Sequence, residues 1–150
     1  MVRGSSLCGN GRYRTFFREI RGALVDAIRV YVRYEVPDEN AETRRERYER
    51  FGDDIAPTPP KIVPIGGLHI WEWYFELSRS IRRVREGVCE PIPPTEFEAW
   101  QRLTKTIVYP WEYEIFRAMD GHYCDVMNEE LRDYRDREKA AMEEAAKRKK

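Results

Sequence analysis

The sequence predicts an all-α protein: a small helical domain of three to four helices, preceded by an N-terminal helical arm and followed by a charged C-terminal helical tail. Two observations predict it. Apolar residues return every three to four positions through most of the chain, the period of a helix with one buried face. The prolines stand before, between or after these stretches and not inside them, where each would break a helix. The expected organisation is residues 1–60 as the arm, 61–130 as the domain and 131–150 as the tail.

Composition narrows the classes. At 150 residues the chain is long enough for a modest core, and 27 basic residues against 27 acidic leave no global field to draw nucleic acid or an anionic membrane. Aromatics at 13% in a chain that is 36% charged suggest aromatic anchors on solvated helices, and hence protein partners. Three scattered cysteines, Cys8, Cys89 and Cys124, do not make a disulfide framework. No apolar run approaches the roughly 20 residues that span a bilayer, and the first residues lack a signal peptide's apolar core. A cytoplasmic protein is expected.

In chain order, residues 1–12 are small, polar and Gly-rich, and disorder is expected there. From Thr15, the spacing of Phe16, Phe17, Ile20, Leu24, Ile28, Tyr31 and Val32 predicts an amphipathic helix up to Val36-Pro37, with Arg18, Arg21, Arg29 and Arg33 elsewhere on its surface. A basic helix could lie on a membrane or a partner; a helix packed on the domain with its arginines solvated is the preferred reading. Ala41–Phe51 is a short helix of alternating charge, and Ala56–Pro64 a polyproline-type linker. Leu68 through Glu86 is expected to be helical, with an apolar surface nearly all round.

Two helices joined by a tight corner follow. Thr95 and Glu98 have capping-box spacing for the first, and Pro110 with Glu112 marks the first turn of the second. Phe97, Trp100 and Leu103 on the first helix, and Trp111, Ile115, Met119 and Tyr123 on the second, are assigned to the core. Beyond Met127 the apolar stripe fades, so residues 133–150 are expected as a protruding helix or disorder.

No catalytic chemistry emerges. His122, Cys124, Cys89 and Asp120 match no Cys/His metal spacing, and the carboxylate pairs lack an apolar pocket to separate their pKa values. No catalytic residue, metal or cofactor is expected. A helix-turn-helix DNA reading is disfavoured because the second helix opens Trp111-Glu112-Tyr113-Glu114, whose acids would repel phosphate.

The run Leu68, Trp71, Phe75, Leu77-Ser78-Arg79, then Pro91-Ile92, Phe97, Ala99-Trp100, Leu103-Thr104, Pro110-Trp111-Glu112 and Met119-Asp120 with Tyr123 resembles the tail assembly chaperones of long-tailed bacteriophages. It is similar in particular to the domain that follows a programmed frameshift in the G/T-type gene pair. The resemblance covers residues 66–127 and departs at Ser80–Glu86, where a Gly-rich stretch is usual, and at Lys105, where Gly is usual. It implies a helical protein that coats the tape measure protein, keeps that long hydrophobic helix soluble, recruits major tail tube subunits, self-associates along the tape measure, and leaves before the tail is finished. The host cytoplasm is the implied location. The alternatives are a structural tail-completion or connector protein retained in the virion, and, from a different class, a helix-turn-helix regulator.

Trp71 and Trp73 lie about 200° apart on their helix, so both cannot be inside. Trp71 shares a face with Phe75, which assigns these two to the core and Trp73, with Ile70 and Leu77, to a partner-docking edge. Glu112 and Asp120 are expected to orient the corner through caps and an ion pair to Arg117 or Arg102.

Overall fold

A computed structural model describes residues 10–38, 40–51, 57–81 and 83–148. Among them the architecture is largely all-α: α1 (Asn10–Val30), α2 (Arg44–Phe51), α3 (Leu68–Ser80), α4 (Pro94–Thr104) and α5 (Pro110–Arg148), with one two-residue-strand hairpin, β1 (Val84–Arg85) and β2 (Val88–Cys89). The disorder expected over residues 1–12 falls mostly outside the described residues; helix already runs from Asn10. Cys8 is outside them too.

α5 is the spine, 39 residues long and so about 58 Å at 1.5 Å per residue. Contacts along it set the direction of its neighbours. Phe17 stacks on Trp111 at 4.3 Å, and Arg33, sixteen residues further along, reaches Glu129 at 2.8 Å, so α1 runs parallel to α5. α3 does the same, from His69 beside Glu112 to Tyr74 beside Phe116. α4 runs the opposite way, since Ile92 before it meets Asp120 and Phe97 within it meets Tyr113. One core results: Ile20, Leu24, Ile28 and Val32 of the N-terminal helix join Ile70, Tyr74, Leu77, Phe97, Trp100, Ile115, Phe116 and Met119. At Tyr31–Glu35 the first helix widens into a π turn. There Tyr31 lies 4.6 Å from the Phe75 ring and 6.3 Å from Trp71.

Several local expectations change. The third helix stops at Ser80 and does not reach Glu86, because the segment turns into the hairpin, with Val84 opposite Cys89 and Arg85 opposite Val88. Glu86 (φ 51°) and Gly87 (φ 77°) are both left-handed, the geometry of a two-residue type I′ turn that matches strand twist. Thr95 is not an N-cap. Pro94 lacks an N–H and has its φ pre-set, so α4 starts two residues earlier, at a Pro93 cap with no side-chain bond, and Glu98 is exposed. A full capping box occurs instead at α2, where Thr43 N–H and Oγ1 both reach Glu46 Oε2 at 2.8 Å and Glu46 N–H donates to Thr43 Oγ1 at 3.1 Å. The short charged helix thus begins at Arg44 and not Ala41. Residues 57–64 form neither helix nor strand, as expected of a proline-rich segment, and Pro64 is extended at its end. The charged tail is helical to Arg148, with every residue from Asp133 to Arg148 exposed.

Candidate protein-binding face

Apolar surface collects at the α4–α5 corner. α4 ends in a left-handed Lys105 (φ 55°), which turns the chain toward Pro110. The corner leaves Leu103, Ile107 and Tyr109 exposed at 85, 77 and 58%. Behind this surface stands an aromatic wall: the Trp73 ring is 5.9 Å from Trp100 and 4.9 Å from His69, and Trp100 is 5.6 Å from Phe97.

Glu112 holds the corner in place. It is buried, and its Oε2 accepts the Tyr109 N–H at 2.7 Å, satisfying a donor that the helix start leaves free. Its Oε1 lies 2.8 Å from His69 Nε2, which ties the first turn of α3 to the start of α5.

The predicted docking edge is rearranged. Ile70 and Leu77 are buried (0 and 3% exposed) and are not surface residues. With Tyr74 they form an i, i+4, i+7 stripe aimed at α5, and that stripe is the buried face of α3. Trp71 and Trp73 flank it and both are half-buried, Trp73 toward Trp100 and Trp71 toward Tyr31 and Phe75. Leu103 is not core. α4 buries Phe97 and Trp100 against α5 and α3, and Leu103 is rotated off that face on the final turn. Trp111 is half-buried under Phe17, Tyr123 is half-buried beside Tyr74, and Phe75, Ile115 and Met119 are buried.

Asp120 does not serve the corner and has no contact with Arg102. It is fully buried and pairs with Arg83 at 2.6 Å, accepts the Ile92 N–H at 2.9 Å, and has Arg117 at 3.5 Å. Arg83, which the sequence reading absorbed into a helix, spends its whole guanidinium here. Nε donates to the Glu90 carbonyl at 3.0 Å, Nη1 to Tyr74 Oη at 3.1 Å and Ser78 Oγ at 2.9 Å, and Nη2 to Asp120 and to Cys124 Sγ at 3.3 Å. The node joins the hairpin, α3 and α5. Burial raises the Asp120 carboxyl above the ordinary carboxylate value, opposed by Arg83, the Ile92 N–H and Arg117. Tyr123, under the Arg83 cation, is pushed up to about 12 by burial. A hint was present in the sequence: Val84-Arg85-Glu86-Gly87-Val88 carries a turn glycine between two β-branched residues, Val84 and Val88.

Cys89 and Cys124 are buried free thiols with their sulfurs 3.6 Å apart, and Asn128 clamps the Cys89 backbone through its N–H (2.7 Å) and carbonyl (3.2 Å). Among the described residues no group of three or more His, Cys, Asp or Glu could hold a metal, and no helix is long and apolar enough to cross a membrane. What the corner offers chemically is apolar contact.

No curated protein and no solved structure matches the chain. A family model described as phage tail assembly chaperone matches residues 49–125, just over half the chain, a segment that contains α3, the hairpin, α4, the exposed corner and the buried arginine node. The chain belongs to the phage tail assembly chaperones.

Proposed function

We propose that this protein binds the tape measure protein in the host cytoplasm, keeps that long hydrophobic helix in solution, recruits major tail tube subunits, and departs before the tail is complete. The role is one of binding, with no chemical step. The observation that carries it is the exposed corner, Leu103, Ile107 and Tyr109 backed by Trp73 and Trp100, inside the family-matched segment. An apolar helix laid on such a surface is held by side chains at i, i+3 and i+4 spacing. Leu103 and Ile107 thereby take the place that sequence reasoning gave to Ile70 and Leu77, with Trp73 retained beneath them. In this reading the matched segment is the counterpart of the domain that follows the frameshift in G/T-type pairs, and copies self-associate along the tape measure.

The test is co-expression with the tape measure protein. Leu103→Ser with Ile107→Ser should leave the melting temperature unchanged, since both side chains are exposed. The same variant should leave the tape measure protein insoluble. Full solubilisation by the double variant would remove the corner from the interface. Mass spectrometry of purified virions should find the chain absent; stoichiometric copies in the particle would favour a structural tail protein.

A further inference from the structure

The first half of α1 lies outside the family-matched segment and presents a second surface of different chemistry. Tyr13 and Phe16 are exposed at 65 and 49%, and Ile65 in the turn before α3 at 92%. These belong to one patch. A Cβ placed on Gly66 would meet Phe16 Cζ at 3.3 Å and Ile20 Cδ1 at 2.9 Å, so α1 packs closely on the Ile65–Gly67 turn. That contact sets Phe16 beside Ile65, with Leu68 one helical step on. Around the patch stand Arg12, Arg14, Arg18 and Arg21, all exposed, and none forms an ion pair among the described residues. At the other end of the same helix and beyond it the arginines are matched: Arg33 and Arg44 to Glu129 and Glu130, Arg45 to Glu35, Arg47 and Arg50 to Glu42. The chain has zero formal net charge, so an end with four unmatched guanidiniums and Glu19 as its one acid is a local excess.

We propose that Tyr13, Phe16, Ile65 and Leu68, ringed by Arg12, Arg14, Arg18 and Arg21, form a docking surface for an acidic amphipathic helix of a partner protein. Apolar anchors on one face of such a helix would fill the patch, and flanking carboxylates would take the bidentate geometry that guanidinium offers. Nucleic acid fits less well, because it would leave four apolar side chains without a partner beside the phosphates. A bilayer fits less well too: the apolar stripe of α1, Ile20, Leu24, Ile28 and Val32, is committed to the core and cannot turn toward lipid. The surface is independent of the corner, and its test uses different residues.

The probe is a fluorescein-labelled synthetic helix of about five turns, with Leu on one face and Glu on both flanks, titrated with the full chain and followed by anisotropy. Its counterpart carries Lys for every Glu; a short DNA duplex and vesicles of phosphatidylglycerol with phosphatidylcholine complete the set. The Glu peptide should bind at least ~10-fold more tightly than the Lys peptide, and binding should weaken as salt is raised past the screening range. Arg14→Glu with Arg18→Glu should weaken it ~10-fold at unchanged melting temperature, and Ile65→Ser should weaken it through apolar contact alone. Absence of Glu-peptide binding, equal binding of the two peptides, or indifference to these substitutions would overturn the proposal. Tighter binding of the duplex or the vesicles through the same arginines would overturn it as well. So would a dimer in sedimentation that Arg14→Glu/Arg18→Glu dissolves, which would give the surface to a second copy. Peptide binding that survives Leu103→Ser/Ile107→Ser, together with tape measure solubilisation that survives Arg14→Glu/Arg18→Glu, keeps the two surfaces distinct.

Discussion

Asp120 is the most consequential single residue, because nothing but ionic and hydrogen-bonding partners surrounds its carboxylate in an otherwise apolar layer. Replacing a whole buried ion pair by apolar groups can be neutral, whereas removing one member strands the other. Asp120→Ala leaves the Arg83 guanidinium uncompensated and the Ile92 N–H without its acceptor, so we expect a loss of ~3–5 kcal/mol in urea denaturation. A loss below ~1 kcal/mol would mean the hairpin re-satisfies Arg83 on its own. His122 makes a smaller, pH-dependent contribution. Its Nε2 is buried without a hydrogen-bond partner, and burial, followed by the Arg29 charge, lowers its pKa from the usual imidazole value against Asp125, Asp26 and Glu129. A histidine with a depressed native pKa binds fewer protons folded than unfolded, so stability rises with pH. It is full above the unfolded value of about 6.5 and declines as pH falls through it. Between pH 7.5 and pH 5.5 the wild-type melting temperature should therefore drop more than that of His122→Gln; an equal or larger drop in the variant would contradict this.

At the scale of elements, proline and carboxylate signals proved readable where they act within one turn, and much less so where backbone geometry chose between two turns. Pro110 and Glu112 mark the start of α5, since a missing N–H and a returning carboxylate both favour that position. Thr95 and Glu98 have capping-box spacing and lost to Pro94, whose fixed φ starts the helix sooner. The hairpin was hidden because Ile81 and Val84 continue the apolar spacing of the helix before them and three arginines, good helix formers, stand between and after them, while its decisive feature is the left-handed pair Glu86-Gly87. Lys105 is a comparable case: the family pattern places Gly there, and the structure gives the reason, since α4 terminates in left-handed backbone at φ 55°. A non-glycine residue in that region costs ~1 kcal/mol or more, part of which is returned because Gly gains freedom in the unfolded chain. Lys105→Gly is expected to raise stability by ~0.5–1 kcal/mol, measured as an upward shift of the denaturation midpoint at constant slope. A fall would show that the Lys105 side chain contributes something its exposure does not reveal.

At the scale of the molecule, the sequence reading separates an N-terminal arm from a helical domain, and the family match begins only at residue 49. The periodicity of α1 announced an amphipathic helix but could not say what its stripe would cover, because the partner is α5, about a hundred residues away, running parallel to it. Direction and partner of long-range packing are not encoded in any local window. Ile20, Leu24, Ile28 and Val32 are each at most 4% exposed. At about 1.5–3 kcal/mol per fully buried aliphatic side chain, they supply an amount comparable to the 5–15 kcal/mol that holds a typical domain together. Removing them would also uncover the Trp111 ring beneath Phe17 and open the α5 face of the core. A chain starting at residue 49 should therefore retain helical circular dichroism but lose cooperative thermal unfolding and bind a hydrophobic dye, whereas a chain ending at residue 135 should melt as the full protein does, because residues 136–148 beyond it are all exposed. A sharp, two-state transition from the residue-49 chain would show that the family-matched segment folds alone, and that α1 is an arm after all, laid on a domain that does not need it.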